Sequence, residues 1–259
     1  ASTYPGIIPN VFARDALSII VHPSKAGCIN NITRVQLVDI YEGEITNWSA
    51  LGCPSAPLVP RARVVTSGSR ASFLDMLKSV GSALTAAEEE ATINGTGLPR
   101  LEGNEDVHDA IAANPNQIGY VGLAFTTSGV HTLSVDGVFP SDATVNDGTY
   151  KMGRNLHYYR NPSNTRQRVT DYLTWSMGAE AQAVAKKVGY IPVVPSNQIA
   201  PDWDINLDRV GNISDIAAIG LKWGQTNTVH GFVRADANWD GNVNISDVAY
   251  VGLNWGATW

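Results

Sequence analysis

Arg63-Val-Val-Thr66-Ser67-Gly68-Ser69-Arg70-Ala-Ser-Phe73-Leu74-Asp-Met-Leu77 reads as a short strand, a turn and a helix. The run 63–66 suits a strand, and Phe73, Leu74, Leu77 and Val80 recur at helical spacing along one face. A turn that opens a helix gathers unpaired backbone N–H groups at the positive end of the helix dipole. Here the hydroxyls of Ser67 and Ser69 stand beside the exposed backbone of Gly68. That combination can hold an anion. Arg63 adds a guanidinium able to grip an oxyanion through two parallel hydrogen bonds. Ser is equally the favoured N-cap residue, so the same triplet can also start a helix with no ligand at all.

Outward from this piece the pattern stays α/β. Residues 16–22 (Ala-Leu-Ser-Ile-Ile-Val-His) read as a buried strand, and Val35, Leu37, Val38, Ile40 and Tyr41 as a helix opened by Asn31 or Thr33. Glu88, Glu89 and Glu90 predict a solvated helix face. Val107, Ala110 and Ile111 mark a helix that Asn114-Pro115 ends, because proline disfavours the helical conformation before it. Residues 118–122 and 156–159 read as strands; Val169, Tyr172, Leu173 and then Ala181, Val184, Val188 as two late helices. Strands alternating with helices predict a mostly parallel sheet. Pro192, Pro195 and Pro201 punctuate a linker. The expected organisation is an α/β domain over residues 1–195, a linker over 196–203 and a small all-α module over 204–259.

The module announces itself by a repeat. Asp236-Ala-Asn238-Trp-Asp240-Gly241-Asn242-Val-Asn244-Ile245-Ser246-Asp247 carries oxygen-bearing side chains at positions 1, 3, 5, 7, 9 and 12, with Gly at position 6. This is the arithmetic of an EF-hand-like calcium loop: alternate residues turn oxygens inward, glycine permits the sharp turn, and a final carboxylate closes the coordination sphere. Thirty-two residues upstream stands Asp204-Ile-Asn206-Leu-Asp208-Arg209-Val210-Gly211-Asn212-Ile213-Ser214-Asp215. Similar helices follow, Ile-Ala-Ala-Ile-Gly-Leu-Lys-Trp-Gly from 216 and Val-Ala-Tyr-Val-Gly-Leu-Asn-Trp-Gly from 248.

This duplicated segment, about residues 202–259, resembles a dockerin, the calcium-binding module that docks a cohesin on another protein. The resemblance implies two Ca2+ ions. Asp204, Asn206, Asp208, Asn212 and Asp215 would hold one, with the Val210 carbonyl; Asp236, Asn238, Asp240, Asn244 and Asp247 would hold the other, with the Asn242 carbonyl. The first loop departs from the pattern, with Arg209 at position 6, where a positive φ strains any side chain but glycine. The first ion is therefore expected to be the weaker. Partner recognition in the family falls at positions 10 and 11, here Ile213-Ser214 and Ile245-Ser246. Like pairs imply docking in either of two orientations; the other reading is that the isoleucines simply cover the loops.

A second resemblance covers roughly residues 10–195. Ala13-Arg14-Asp15-Ala16, Asp39-Ile-Tyr-Glu-Gly-Glu-Ile-Thr-Asn-Trp48, Arg63-x3-Ser67-Gly68-Ser69-Arg70 and Asn114-Pro-Asn-Gln-Ile-Gly-Tyr-Val121 occur in order. Asp136-Gly-Val, Asn146-Asp-Gly-Thr-Tyr150 and Gly189-Tyr-Ile-Pro192 follow. Together they are similar to the periplasmic phosphate-binding proteins of ABC importers, a two-lobed fold. In that family the arginine and the Ser-Gly-Thr turn contact phosphate, which implies Arg63, Ser67, Gly68 and Ser69 here, with Ser in place of Thr. The family pattern starts before Ala13, with a segment that builds much of the first lobe and half of the ligand shell. The resemblance therefore leaves three alternatives: an N-terminal fragment cleaved or left out, another chain that completes the lobe, or a scaffold that no longer binds anion.

Composition narrows the functions. The net charge is −6 with scattered basic residues, which gives no nucleic-acid footprint. No apolar run approaches the ~20 residues that span a bilayer, and no charged segment followed by an apolar one marks a signal peptide. His22, His108, His131, His157 and His230 show no metal spacing, and no Gly-x-Ser-x-Gly elbow is present, so no enzyme is expected. Cys28 and Cys53 either form one disulfide or remain two free thiols. The sequons at Asn31, Asn47 and Asn94 are common by chance. The combined expectation is a secreted or cell-surface phosphate receptor tethered through a calcium-dependent dockerin. Its rival is a surface assembly protein whose α/β domain no longer binds anion.

Overall fold

The computed structural model describes residues 6–78, 80, 84–230 and 232–259. Two compact units emerge: Ala13–His157 with Val188–Ile191, and Ala1–Phe12 with Tyr158–Lys187 and Pro192–Trp259. Strand β1 spans Ile8–Val21 and strand β6 Gly153–Arg160, and the two strands pair.

In the first unit the sheet order is β2-β5-β1-β4-β3, with β2 at Asn31–Ile32, β3 at Val59–Pro60, β4 at Gln117–Gly122 and β5 at His131–Val135. The expected mostly parallel sheet is instead mixed. Its long ladders belong to β1, antiparallel to β4 (Leu17 opposite Gly122, Val21 opposite Ile118) and to β5 (Ile19 opposite Leu133). The parallel pairs, β2 with β5 and β3 with β4, are only two residues long. Residues 16–21 of β1 are all buried. Burial on both faces produces a continuous apolar run whatever the strand direction, so that run carried no directional information.

Helices close over the sheet. α1 (Arg34–Glu42) starts with a capping box between Thr33 and Gln36 and stops at Gly43, whose φ of 87° a side chain would resist. α2 is Gly68–Leu77, α3 Ala86–Gly95, α4 Asn104–Ala113 and α5 Asp142–Asn146. Tyr41, Phe73 and Tyr120 meet in the core, with the Phe73 and Tyr120 rings stacked at 4.1 Å. Cys28 and Cys53 are bonded, their Cα atoms 5.1 Å apart.

Two expectations in this unit are corrected. Residues 63–66 do not form a strand; only Arg63 bridges, to Leu101, and the ladder lies earlier, at β3. Glu88, Glu89 and Glu90 do not share a solvated face, because Glu89 is fully buried between Arg70 (2.6 Å) and Arg100 (2.9 Å). Arg70 and Arg100 lie 19 residues upstream and 11 downstream of Glu89, beyond the reach of helical spacing.

The second unit holds α6 (Gln167–Ser176), α7 (Ala179–Lys187), α8 (Ile213–Gly220), α9 (Asn227–His230) and α10 (Ile245–Gly252). Buried Gln182 ties α7 down by donating to the carbonyls of Phe12 and Ser176 at 2.8 and 2.7 Å. The proline-punctuated segment leads on from α7, where Lys187 pairs with Asp202 at 3.3 Å. Beyond it, Ile205, Ile219, Val233, Ala235, Ala237, Val243 and Val251 form a separate small core under α8 and α10. Both helices begin alike, with Asn212 or Asn244 as N-cap and Asp215 or Asp247 completing the capping box.

Candidate functional site

Arg63, Ser67, Gly68 and Ser69 line one pocket of about 370 Å³, together with Asp15, Asn104, Gly122 and Arg154. Ser67 caps α2 by accepting from the Arg70 N–H, so the bland reading of the triplet is realised. Capping uses the oxygen as acceptor and leaves the hydroxyl proton to donate. At the first turn, the N–H groups of Gly68 and Ser69 have no acceptor within the helix. Arg63 is held from both ends of its guanidinium: Nη1 donates to Asn104 Oδ1 at 3.0 Å, and Nη2 to the Glu102 carbonyl. Its Nε is buried with no acceptor among the described residues. The Arg63 backbone N–H donates to the Tyr120 hydroxyl at 3.3 Å; burial pushes the pKa of that hydroxyl well up, which keeps it protonated.

A second guanidinium faces the same pocket. Arg154, on β6, donates from Nε and Nη2 to Asp15 Oδ2 at 3.1 and 2.7 Å, and from Nη1 to Ser72 Oγ at 2.8 Å and the Gly68 carbonyl at 3.3 Å. It thereby fixes the first turn of α2. Asn104 Oδ1 also accepts the Gly122 N–H at 3.3 Å. With two arginines and one carboxylate, the lining has a formal charge of +1 and converging donors. Such a site suits an oxyanion.

The two acidic loops share one geometry. Backbone φ is positive at position 4 (Leu207, 65°; Trp239, 62°) and at position 6 (Arg209, 74°; Gly241, 92°). Arg209 therefore occupies the left-handed region that its glycine counterpart enters freely. Asp204, Asp208 and Asp215 bring carboxylate oxygens within 4.8 Å of one another. Asp215 accepts the N–H groups of Ile205, Asn206 and Asn212 at 2.8, 3.2 and 2.8 Å; Asp247 accepts those of Asn238 and Asn244 at 3.2 and 2.8 Å. The position-9 amides of Asn212 and Asn244 donate to the carbonyls of Val210 and Asn242 at 3.1 and 3.3 Å. Asn206 and Asn238 donate to Asp208 and Asp240 at 2.8 and 2.9 Å. The decisive atom is Asp236 Oδ1, buried with no donor among the described residues. Leaving such a carboxylate oxygen unpaired is costly, and a cation removes the cost. The donor set therefore fits a hard, oxygen-seeking ion such as Ca2+.

Ile213 and Ile245 are 64% and 68% exposed, so they do not cover the loops. Ser214 is exposed too, but Ser246 turns inward, where its hydroxyl donates to Asp240 Oδ2 at 3.0 Å and accepts from Asn238 at 2.7 Å. The two faces are thus alike in shape and unlike in this hydroxyl. Leu221 and Trp223 on one, Leu253 and Trp255 on the other, are also exposed.

Residues 3–180 match the PBP superfamily domain. The chain belongs to the PBP superfamily. Among proteins similar to it, the phosphate-binding protein PstS of Borreliella burgdorferi is 30% identical over 192 residues, covering 73% of this chain and 67% of that protein. PstS of Bacillus subtilis is 29% identical over 167 residues, 64% of this chain and 51% of the relative. A substrate-binding protein of a phosphate ABC transporter from Clostridium perfringens, solved with bound phosphate, superposes with a TM-score of 0.58 at 26% identity, covering 73% of each chain. The chain thus spans about half to two thirds of the length of these two PstS proteins.

Arg63, Ser67, Gly68, Ser69, Asn104 and Arg154 all lie inside the PBP superfamily match, whereas both acidic loops lie beyond its end at residue 180. Reading the sequence missed Asn104 and Arg154 in the superfamily domain, 41 and 91 residues from Arg63. No spacing rule links residues so far apart. The exposed Leu-x-Trp pairs were different: the repeat already put them at equivalent positions, 32 residues apart.

Proposed function

We propose that this chain is a phosphate-binding receptor of the ABC-importer type, carried outside the cell or at its surface on a duplicated calcium-binding module. The single observation behind the first half is the pocket at the start of α2. Arg63 is preset there by Asn104, beside a turn with free N–H and hydroxyl donors. Membership of a superfamily whose similar members include phosphate-binding proteins adds to that support. No enzymatic step is part of this reading. Titration of inorganic phosphate into the chain by calorimetry tests it. Saturable binding, weakened by Arg63→Gln, supports the receptor; no binding even by the chain joined to a segment completing the first lobe overturns it.

The second half is calcium in both loops and docking of a cohesin-type domain through Ile213, Ser214, Ile245 and Ser246. Asp236 Oδ1, without a donor among the described residues, supports the ion, and the exposed Ile side chains that open α8 and α10, with the exposed Leu and Trp side chains that follow each helix, support a docking face. Those faces also favour a second reading, a surface assembly protein that associates through calcium and binds no anion. Phosphate binding separates the two, because association would be calcium-dependent in both. Association that survives a chelator counts against both docking readings.

A further inference from the structure

We propose that Asn227 and Trp259 are outer-shell positioning residues, each orienting the first aspartate of the loop in the other repeat. The proposal rests on the reading of the two loops as calcium sites. Asp204 and Asp236 are 32 residues apart, and so are Asn227 and Trp259. The two residues are chemically unlike, yet they occupy one register. The segment leaving α8 pairs with the second loop, and the segment leaving α10 pairs with the first. Thr226 bridges Asn242 as Thr258 bridges Val210. Gly224 donates to the Val243 carbonyl at 2.9 Å as Gly256 donates to the Gly211 carbonyl at 2.7 Å. In return, Val243 and Gly211 donate to the carbonyls of Gln225 and Ala257, each at 2.9 Å.

At the end of each segment a side chain reaches the position-1 carboxylate. Asn227 Nδ2 donates to Asp236 Oδ2 at 2.8 Å, and Trp259 Nε1 donates to Asp204 Oδ2 at 2.5 Å. The same two oxygens accept the position-6 N–H groups, from Gly241 at 3.0 Å and from Arg209 at 2.9 Å. Oδ2 of each aspartate is thereby committed to the protein by two hydrogen bonds, and Oδ1 is the less engaged oxygen. In the second loop that Oδ1 is buried in a residue only 2% exposed and has no donor among the described residues; among the same residues the buried Asn227 Oδ1 has no partner either. In the first loop Oδ1 accepts the Asp208 N–H at 3.1 Å. Fixing one oxygen turns the other inward and removes rotational freedom that ion binding would otherwise have to restrict. Hydrogen bonds of this kind to metal ligands are worth about 10- to 100-fold in affinity. The first loop holds its partner further: the Arg209 guanidinium lies 5.2 Å from the Trp259 ring centroid.

The test is a calcium titration of the full chain, stripped of metal, by calorimetry. Two variants are compared, Trp259→Phe, which keeps the ring and removes the N–H, and Asn227→Ala. The native chain is expected to show two binding events. Trp259→Phe should weaken one about tenfold or more and Asn227→Ala the other, while the metal-free melting temperature stays at the native value. Trp259→His, which restores a ring N–H, should recover part of the loss. Two unchanged constants in both variants overturn the proposal, as does equal weakening of both events together with a lower metal-free melting temperature. No calcium binding by the native chain overturns the calcium reading itself and this proposal with it.

Discussion

Arg63 shows how a single side chain can be prepared for a ligand. Its two Nη groups are fixed by Asn104 and the Glu102 carbonyl, and its Nε has no acceptor among the described residues. Arg63→Gln removes the charge and the fork. It should weaken phosphate binding at least tenfold, about 1.4 kcal/mol, with the loss shrinking as salt is added; calorimetry at two ionic strengths checks both. Arg209 illustrates the opposite case, a residue whose side chain works against its backbone. At φ 74° it is strained where Gly241, at 92°, is not. In a calcium titration the loop at 236–247 should therefore fill before the loop at 204–215, which resolved amide signals of the two loops would show. The strain at Arg209 was legible from loop position alone. The grip on Arg63 was not, because both its partners come from the segment that opens α4.

At the scale of elements, caps and periodicity carried most of the reading. Thr33 starts α1, Ser67 starts α2 and Asn114-Pro115 stops α4, each by a local hydrogen-bonding reason. The failures came where distant residues overrode the local pattern. Glu89 belongs to a triple-glutamate run, yet it is buried on α3 against Arg70 and Arg100. Burial pushes its pKa up, but the hydrogen bonds and charges of Arg100 and Arg70 outweigh that and hold it below the usual value. A carboxylate with a depressed folded-state pKa contributes stability above its unfolded pKa of about 4.3 and loses it as the pH falls through the folded value. Native stability should therefore drop with acid below about pH 4. Glu89→Gln, which leaves two arginines uncompensated, should cost about 3–5 kcal/mol at neutral pH and flatten the acid dependence. Urea denaturation at pH 7 and pH 3.5 would measure both effects.

Across the molecule, the disulfide and the paired acidic loops lie in different units. The Cys28–Cys53 bond closes its loop in the unit that carries the anion pocket. Replacing both cysteines with serine should lower stability by roughly 3 kcal/mol through the entropy of the unfolded chain. The paired loops lie in the other unit, with their own core. A chelator should lower the melting of that unit while leaving phosphate affinity unchanged; calorimetric scans with and without calcium, alongside a phosphate titration, would show it. Among the described residues no helix is long and apolar enough to cross a membrane.

By itself the sequence determined the α/β character, the position of most helices, the duplicated loop and the candidate anion turn. Each of these is written in contacts between residues a few positions apart, or in a repeat of fixed register, and such signals survive in a linear string. The tertiary structure alone decided the reversed direction of β1, the burial of Glu89, and the convergence of Asp15, Asn104 and Arg154 on the turn at Ser67–Ser69. It also decided that Asn227 and Trp259 reach across to each other's repeats. Strand direction leaves no mark on a doubly buried apolar run, and hydrogen bonds between distant residues follow from chain crossings that no local period encodes.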